Sequence, residues 1–228
     1  MDEHKKLLNF KRLEKLSKVL EKNRFETFLS EDSKSAANHV LSLIGRNSAS
    51  GATGAVSYTN GQNKKIGLGG SQTVRSLGLV DALKNAGNEI ITHTPEMDKQ
   101  TRIETWLRAQ TADFYLASPQ AITLNGELIL IDAYGNRAAA AIYGPKKVIL
   151  IAGHNKIVKD LNEGLWRIRN IAAVANNIRL GRKNPCVISG KCEDCDIESR
   201  ICNVVSILYR KPVYTDYLIV LVNEELGY

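Results

Sequence analysis

The stretch Ile66-Gly67-Leu68-Gly69-Gly70-Ser71-Gln72-Thr73 constrains this chain more than any other. An apolar, strand-like approach runs through a glycine-rich turn into a helical pattern. Glycine lets backbone approach a ligand or a neighbouring segment closely, and the first amides of a helix have no intrahelical partner. Such a turn suits a carboxylate or phosphate, with Gly67, Gly69 and Gly70 as backbone contacts and Ser71 and Thr73 as hydroxyl donors. The alternative is a tight strand-to-helix turn with no ligand. A third glycine would stand at Gln72 in a dinucleotide fingerprint, and no Gly-Lys-Ser/Thr tripeptide follows, so neither NAD nor ATP is expected.

The rest of the chain alternates between strand and helix patterns. Helices are expected over 4–22, ending at Asn23, and after the capping stretch Ser30-Glu31-Asp32-Ser33, with Ala37, Val40, Leu41 and Ile44 on the apolar face. Further helices are expected over 74–86, 98–109, 137–143 and 157–178. Strands are expected at 25–29, 89–92, 113–118, 127–132, 203–209 and 218–222, with Asn125-Gly126 as a hairpin-type turn. Lys147–Gly153 is a near-continuous apolar run, the mark of a strand buried on both faces. Interleaved strands and helices imply an α/β sandwich with a largely parallel sheet. Residues 46–64 are rich in Ser, Gly, Asn and Thr. They read as either a mobile lid ahead of the glycine turn or a surface insertion.

With 228 residues, 43% of them hydrophobic, the chain can bury a sizeable core as one domain. The net charge is +7 and the pI about 9.2. Acids and bases are interspersed, only four Phe and two Trp are available for stacking, and no nucleic-acid motif is present. The positive balance therefore points to acidic metabolites. There is no apolar run of membrane-spanning length and no secretory h-region, so a cytoplasmic location is expected.

Cys186, Cys192, Cys195 and Cys202 are the only cysteines and follow C-x5-C-x2-C-x6-C. The C-x2-C step is that of a metal knuckle, and four thiolates suit a structural zinc or an iron–sulfur cluster. Reduced thiols in a loop, or a redox pair, are the other readings.

Several segments, taken in order, carry a resemblance: Gly67–Thr73, Ala117–Thr123, Asn125–Leu128, Asp132–Arg137, Gly144–Val148 and Gly153–Lys156. Over about residues 5–228 the chain resembles the LUD domain family, named for lactate utilisation. The resemblance implies a Rossmann-like three-layer sandwich similar to the NagB/RpiA/CoA-transferase group. Residues 1–24 would then be an N-terminal helix and 183–204 a cysteine loop within the one domain. It also implies a link to oxidation of lactate or related hydroxy acids beside iron–sulfur oxidoreductase subunits. Many relatives carry an acidic residue where this chain has Leu124, and the nearest carboxylate is Glu127, so no carboxylate nucleophile is proposed.

In such a sandwich, loops following the strands gather at one sheet edge. Ser118 to Thr123 and Asp132 to Arg137 would join the glycine turn there. Arg137 suits a bidentate grip on a carboxylate and Asn136 a hydroxyl or carbonyl. The same Asp132, Asn136 and Arg137 could instead form an internal network. Acid/base candidates are Asp132, Glu127 and His154, although a loop histidine facing solvent is the commoner case. His154 and Lys156 both follow the buried strand, while His4, His39 and His93 have no constellation around them. Three functions follow: an accessory subunit binding a small carboxylate or phosphorylated sugar acid, an enzyme acting on such an acid, or an iron–sulfur or thiol redox module. A homodimer is compatible with each.

Overall fold

The computed structural model describes residues 2–45 and 63–228. Its first element is the helix α1 (Glu3–Lys22), capped by the Asp2 carboxylate and ending at Asn23 as its pattern predicts. Strand β1 (Glu26–Ser30) and helix α2 (Ser33–Gly45) follow. The expected lid or insertion at 46–64 lies outside the described residues, apart from Asn63 and Lys64. Next come β2 (Lys65–Leu68), α3 (Gln72–Ser76), α4 (Leu79–Asn85), β3 (Glu89–Ile91), α5 (Lys99–Gln110) and β4 (Phe114–Ala117). Then come β5 (Ala121–Thr123), β6 (Leu128–Asp132), α6 (Asn136–Ile142), β7 (Lys147–Gly153) and a 3-10 turn at His154–Lys156. The chain continues with β8 (Ile157–Val158), α7 (Leu161–Arg167), α8 (Ala173–Arg179), α9 (Pro185–Ser189), β9 (Val204–Leu208) and β10 (Asp216–Val222).

β1, β10, β7, β4, β2 and β3 form, in that order, a fully parallel sheet. Its central strands are apolar on both faces because both faces are covered. Val148, Leu150 and Ala152 of β7 and Tyr217, Ile219 and Leu221 of β10 share one core with α1, α5 and α6. The alternate residues Ile149, Ile151, Leu218, Val220 and Val222 share the other with α2, α3 and α4. Each fully buried aliphatic side chain contributes about 1.5–3 kcal/mol. This is a Rossmann-like three-layer arrangement.

A second sheet, ordered β8, β5, β6, β9, packs its inner residues Ile122, Leu128, Leu130 and Leu208 into the core shared with α1. Its outer residues Ala121, Ile129 and Ile131 meet Ile168 and Ala173. β5 and β6 are the antiparallel hairpin that Asn125-Gly126 predicts.

Two expected helices are interrupted. The helix expected over 74–86 breaks at Gly78, whose φ of +67° ends the first turn and starts α4 in a new direction. The helix expected over 157–178 begins late, because Ile157-Val158 joins β5 as a strand. It also carries a π-helical turn at Ile168–Ala172. Such turns add one residue to the helix and re-aim the face that follows.

Gly67 lies in β2 with α5 pressed onto it. A Cβ there would stand 2.8 Å from both the Ala109 carbonyl oxygen and Tyr115 Cδ2. At Gly70 a Cβ would meet nothing within 4 Å. Gly67→Ala is therefore expected to destabilise the fold by about 1–3 kcal/mol, and Gly70→Ala by less than ~0.5 kcal/mol. Equal denaturation midpoints for the two variants would contradict this packing.

Candidate functional site

The helices after β2 cover one face of the parallel sheet, and the helix reached after β4 covers the other. Neighbouring parallel strands whose connections leave in opposite directions open a crevice at their C-terminal ends. A cleft of about 800 Å³ lies there. Gly70, Ser71 and Thr73 after β2, Ser118 after β4, Asp132 at the end of β6 and Lys156 after β7 all line it. Its far wall is Ala172, Ala173 and Asn176, presented by the π-helical turn and α8. The segments Gly69–Thr73, Ser118 and Asp132–Arg137, adjacent only in the folded chain, thus meet at one edge.

Asp132 is buried and acts on backbone. Its Oδ2 accepts from the amides of Arg137 (2.8 Å) and Ala138 (3.0 Å), and its Oδ1 from those of Ala133 (2.7 Å) and Tyr134 (3.4 Å). The carboxylate thereby caps α6, whose preceding Gly135 provides no side chain, and offsets the positive end of that helix. Arg137 leaves the first turn of α6 and donates to the Ile131 carbonyl oxygen. Its Nε is buried without a partner among the described residues. Its stem crosses Gly69, where a Cβ would approach Arg137 Cδ to 3.0 Å. One role of the glycine turn is thus to let Arg137 reach the cleft. Asn136 lines the cleft beside it. Ser71 caps α3, its hydroxyl accepting from the Val74 amide at 3.3 Å.

At the floor stands Lys156, 2% exposed. Its Nζ donates to Thr73 Oγ1 (2.8 Å) and Ser118 Oγ (2.7 Å). Those hydroxyls donate onward to the carbonyl oxygens of Leu226 and Pro119, so their lone pairs face the amine. Among the described residues no carboxylate forms an ion pair with Lys156. Burial, with the nearby Arg167 and Arg137 charges, draws its pKa from the ordinary 10.5 to about 7. Arg167 is itself buried, pulled below its usual pKa by desolvation, and donates to the carbonyl oxygens of Asn155 (3.1 Å) and Gln120.

Arg75, Arg102, Arg179 and Arg182 line the walls, and Asp132 is the only acidic side chain among the described residues of the lining. Asn176 holds Arg179 through Nε (3.1 Å) and Nη2 (2.8 Å). Trp106 and Tyr134 stack obliquely at 5.1 Å. Trp106 Nε1 donates to His93 Nδ1 at 3.1 Å, which leaves the His93 proton on Nε2. Burial, then Arg102 and Arg75, hold His93 below its ordinary pKa.

The other expected site residues lie elsewhere. Gly67 packs inside the sheet. Thr123 and Glu127 bond each other at the β5–β6 hairpin, outside the cleft lining. His154 lines a separate cavity of about 410 Å³ with Leu13, Leu124 and Glu163. Its Nε2 is buried without a partner among the described residues, and desolvation lowers its pKa against the opposing pull of Glu225.

The cysteines also stand outside the cleft. Cys186 is buried in α9 and accepts from Asn177 Nδ2 at 3.4 Å, while Cys192, Cys195 and Cys202 are half-buried. Burial, together with Cys195 and Cys202, pushes the Cys186 thiol up, although the Asn177 bond opposes this. Among the described residues no three His, Cys, Asp or Glu side chains converge into a group that could hold a metal. No step is routed through a metal or cluster at these thiols.

A buried lysine with no anionic partner destabilises its own fold. Its lowered pKa means that the unfolded chain binds the extra proton between about pH 7 and 10.5, so stability rises with pH across that window. Lys156→Met is expected to be more stable than the parent by roughly 3–5 kcal/mol below pH 7, the gap closing as pH climbs towards 10.5. Thermal melts across that range check this, and a gap independent of pH would refute it.

A family model described as LUD domain matches residues 13–222. No curated protein matches the chain. Among solved structures, a DUF162 family protein from Deinococcus radiodurans is similar, with a TM-score of 0.52 and 14% identity. That likeness covers 94% of this chain and 97% of the other, and it shows a common fold. With the model spanning nearly all of both sheets, the chain belongs to the LUD domain family.

Proposed function

We propose that the cleft binds a small organic anion, a hydroxy- or keto-carboxylate or a phosphorylated sugar acid. The protein would then serve the use of lactate or a related acid as a component that does no redox chemistry itself. The observation that carries this reading is the charge of the lining. Arg75, Arg102, Arg137, Arg179 and Arg182 are gathered there, against one side-chain carboxylate among the described residues, and that one is already spent on the amides of α6. Like charges brought together in a crevice repel one another, and an anion relieves that repulsion. Arg137, whose Nε has no partner among the described residues, adds a guanidinium to that lining. Because α3 has only five residues and its Ser71 hydroxyl is engaged, side chains rather than a helix terminus supply the grip.

The family's name connects the chain with lactate utilisation, which together with the charge of the cleft favours a small carboxylate as ligand. No helix among the described residues is long and apolar enough to cross a membrane. A cytoplasmic place, iron–sulfur partner subunits and a homodimer remain part of the proposal. A metal or iron–sulfur cluster at Cys186, Cys192, Cys195 and Cys202 is a second reading, carried by their spacing in the sequence.

Thermal shift with lactate, glycolate, pyruvate and 3-phosphoglycerate tests the first reading. At least one is expected to stabilise the protein by about 2–3 kcal/mol at a hundredfold excess over Kd. Salt should weaken the effect, and Arg137→Ala should lower affinity by roughly 10- to 100-fold. No stabilisation by any of the four would refute it. For the cysteines, elemental analysis and a visible spectrum on anaerobically purified protein test the second reading, which requires about one zinc or one cluster per chain, lost in Cys195→Ser. Metal-free protein with four titratable thiols would end that reading.

A further inference from the structure

We infer that Lys156 is a nucleophile that condenses with the carbonyl group of a 2-oxo acid to form an imine. The inference rests on the anion reading of the cleft, and it adds a covalent activity at one atom. Geometry carries it. A neutral primary amine has two hydrogens and one lone pair. Here two N–H groups are committed to Thr73 Oγ1 and Ser118 Oγ, and both hydroxyls spend their own hydrogens on carbonyl oxygens. Among the described residues no donor is directed at Nζ, so its remaining valence is the one that attacks. The amine is held at the floor of the cleft, not on a free arm.

The electrostatic surroundings agree. Arg137 from α6 and Arg167 from α7 are the charged groups acting on Lys156, and Thr73 and Ser118 are the polar groups that touch it. Both charges disfavour the ammonium form, and among the described residues no carboxylate pairs with it to restore it. An amine that is half deprotonated near neutral pH is matched to nucleophilic work. A buried lysine kept for structure alone would be expected beside a carboxylate. Arg137 is on hand for the carboxylate of the acid while Nζ meets the adjacent carbonyl carbon.

The step balances without an oxidant or reductant. The Nζ lone pair adds to the carbonyl carbon, and the oxygen takes up the proton that the nitrogen gives up. The resulting carbinolamine loses its hydroxyl as water, with a second proton from nitrogen, and the C=N bond forms. The product keeps the carboxylate in the arginine-lined cleft. The consequence is a carbon next to the imine made acidic, which a simple anion carrier would not need.

Reductive trapping tests this on the full chain. Protein is incubated with pyruvate and a limiting amount of sodium cyanoborohydride at pH 7, then analysed by intact mass and peptide mapping. One carboxyethyl group per chain is expected, mapped to Lys156 at least tenfold above any exposed lysine. Acetone, which lacks the carboxylate, should label the site far less. Lys156→Arg and Lys156→Met should remove the label while their melting curves show folded protein. The labelling rate should level off above pH 7 to 8, where exposed lysines continue to accelerate. Labelling spread evenly over surface lysines overturns the inference. So does stabilisation by pyruvate with Lys156 unmodified, and that outcome leaves the anion reading standing. Neither stabilisation nor labelling removes both.

Discussion

Everything at this site follows from one topological constraint. In a parallel sheet each strand must be followed by a crossover, and the crossover must cover one face or the other. Between β2 and β4 the covering changes side, so the loops that leave these strands diverge. Nothing from the layers fills the space between them. The second sheet then delivers the end of β6 and the start of α6 to the same gap, and β7 brings Lys156 up from below. The cleft is thus a product of connectivity, and the side chains in it are free to vary without disturbing either core.

Within that gap, Asp132 decides the sign of the field. Had its carboxylate faced the ligand space, it would have cancelled an arginine. It instead receives four backbone amides of the turn into α6 and so fixes where Arg137 begins. Its charge is answered by a helix terminus rather than by a side chain. The cleft arginines are left without an ion pair among the described residues of the lining, and the Arg137 stem passes over Gly69, where a Cβ would crowd it. Positioning and electrostatics are accomplished by the same residue.

The sequence disclosed this architecture unevenly. β7 was legible to the residue, because a strand buried on both faces must be apolar throughout. α1 was legible through its spacing and its Asn23 stop. Gly78 was visible as a letter, but nothing local says whether a helical glycine is tolerated or adopts positive φ. β5 and β8 are too short to show a period, and the π-helical turn leaves no compositional mark. In the site, the Gly69–Thr73 and Asp132–Arg137 segments were legible as motifs. Arg75, Arg102 and Arg179 were not, since an arginine on a polar helix face looks the same whether it meets solvent or a cleft. His93 looked isolated because its partner Trp106 lies on the following helix. Glu127 and His154 were drawn in by residue type alone, and topology sends both away from the cleft.

Lys156 shows why the remainder could not be read locally. Thr73 and Ser118 lie 83 and 38 residues away in the chain, and the C-terminal segment closes over them. Gly227, with a φ of +60°, allows that closure, and a Cβ there would stand 2.6 Å from Thr73 Oγ1. A lysine after a buried strand looks like a solvated loop end until those partners are known. Once they are, its burial violates the rule that interior charges are paired. Proteins keep such violations where they serve chemistry, because stability alone would replace the lysine with an apolar side chain. The same reasoning separates the two histidines of interest. His93 has its tautomer fixed by Trp106 and faces the arginines, whereas His154 sits in a different cavity with an unanswered Nε2. Only the former shares a space with the amine, so proton traffic around an imine at Lys156 would have His93 as its nearest neutral imidazole in the cleft lining.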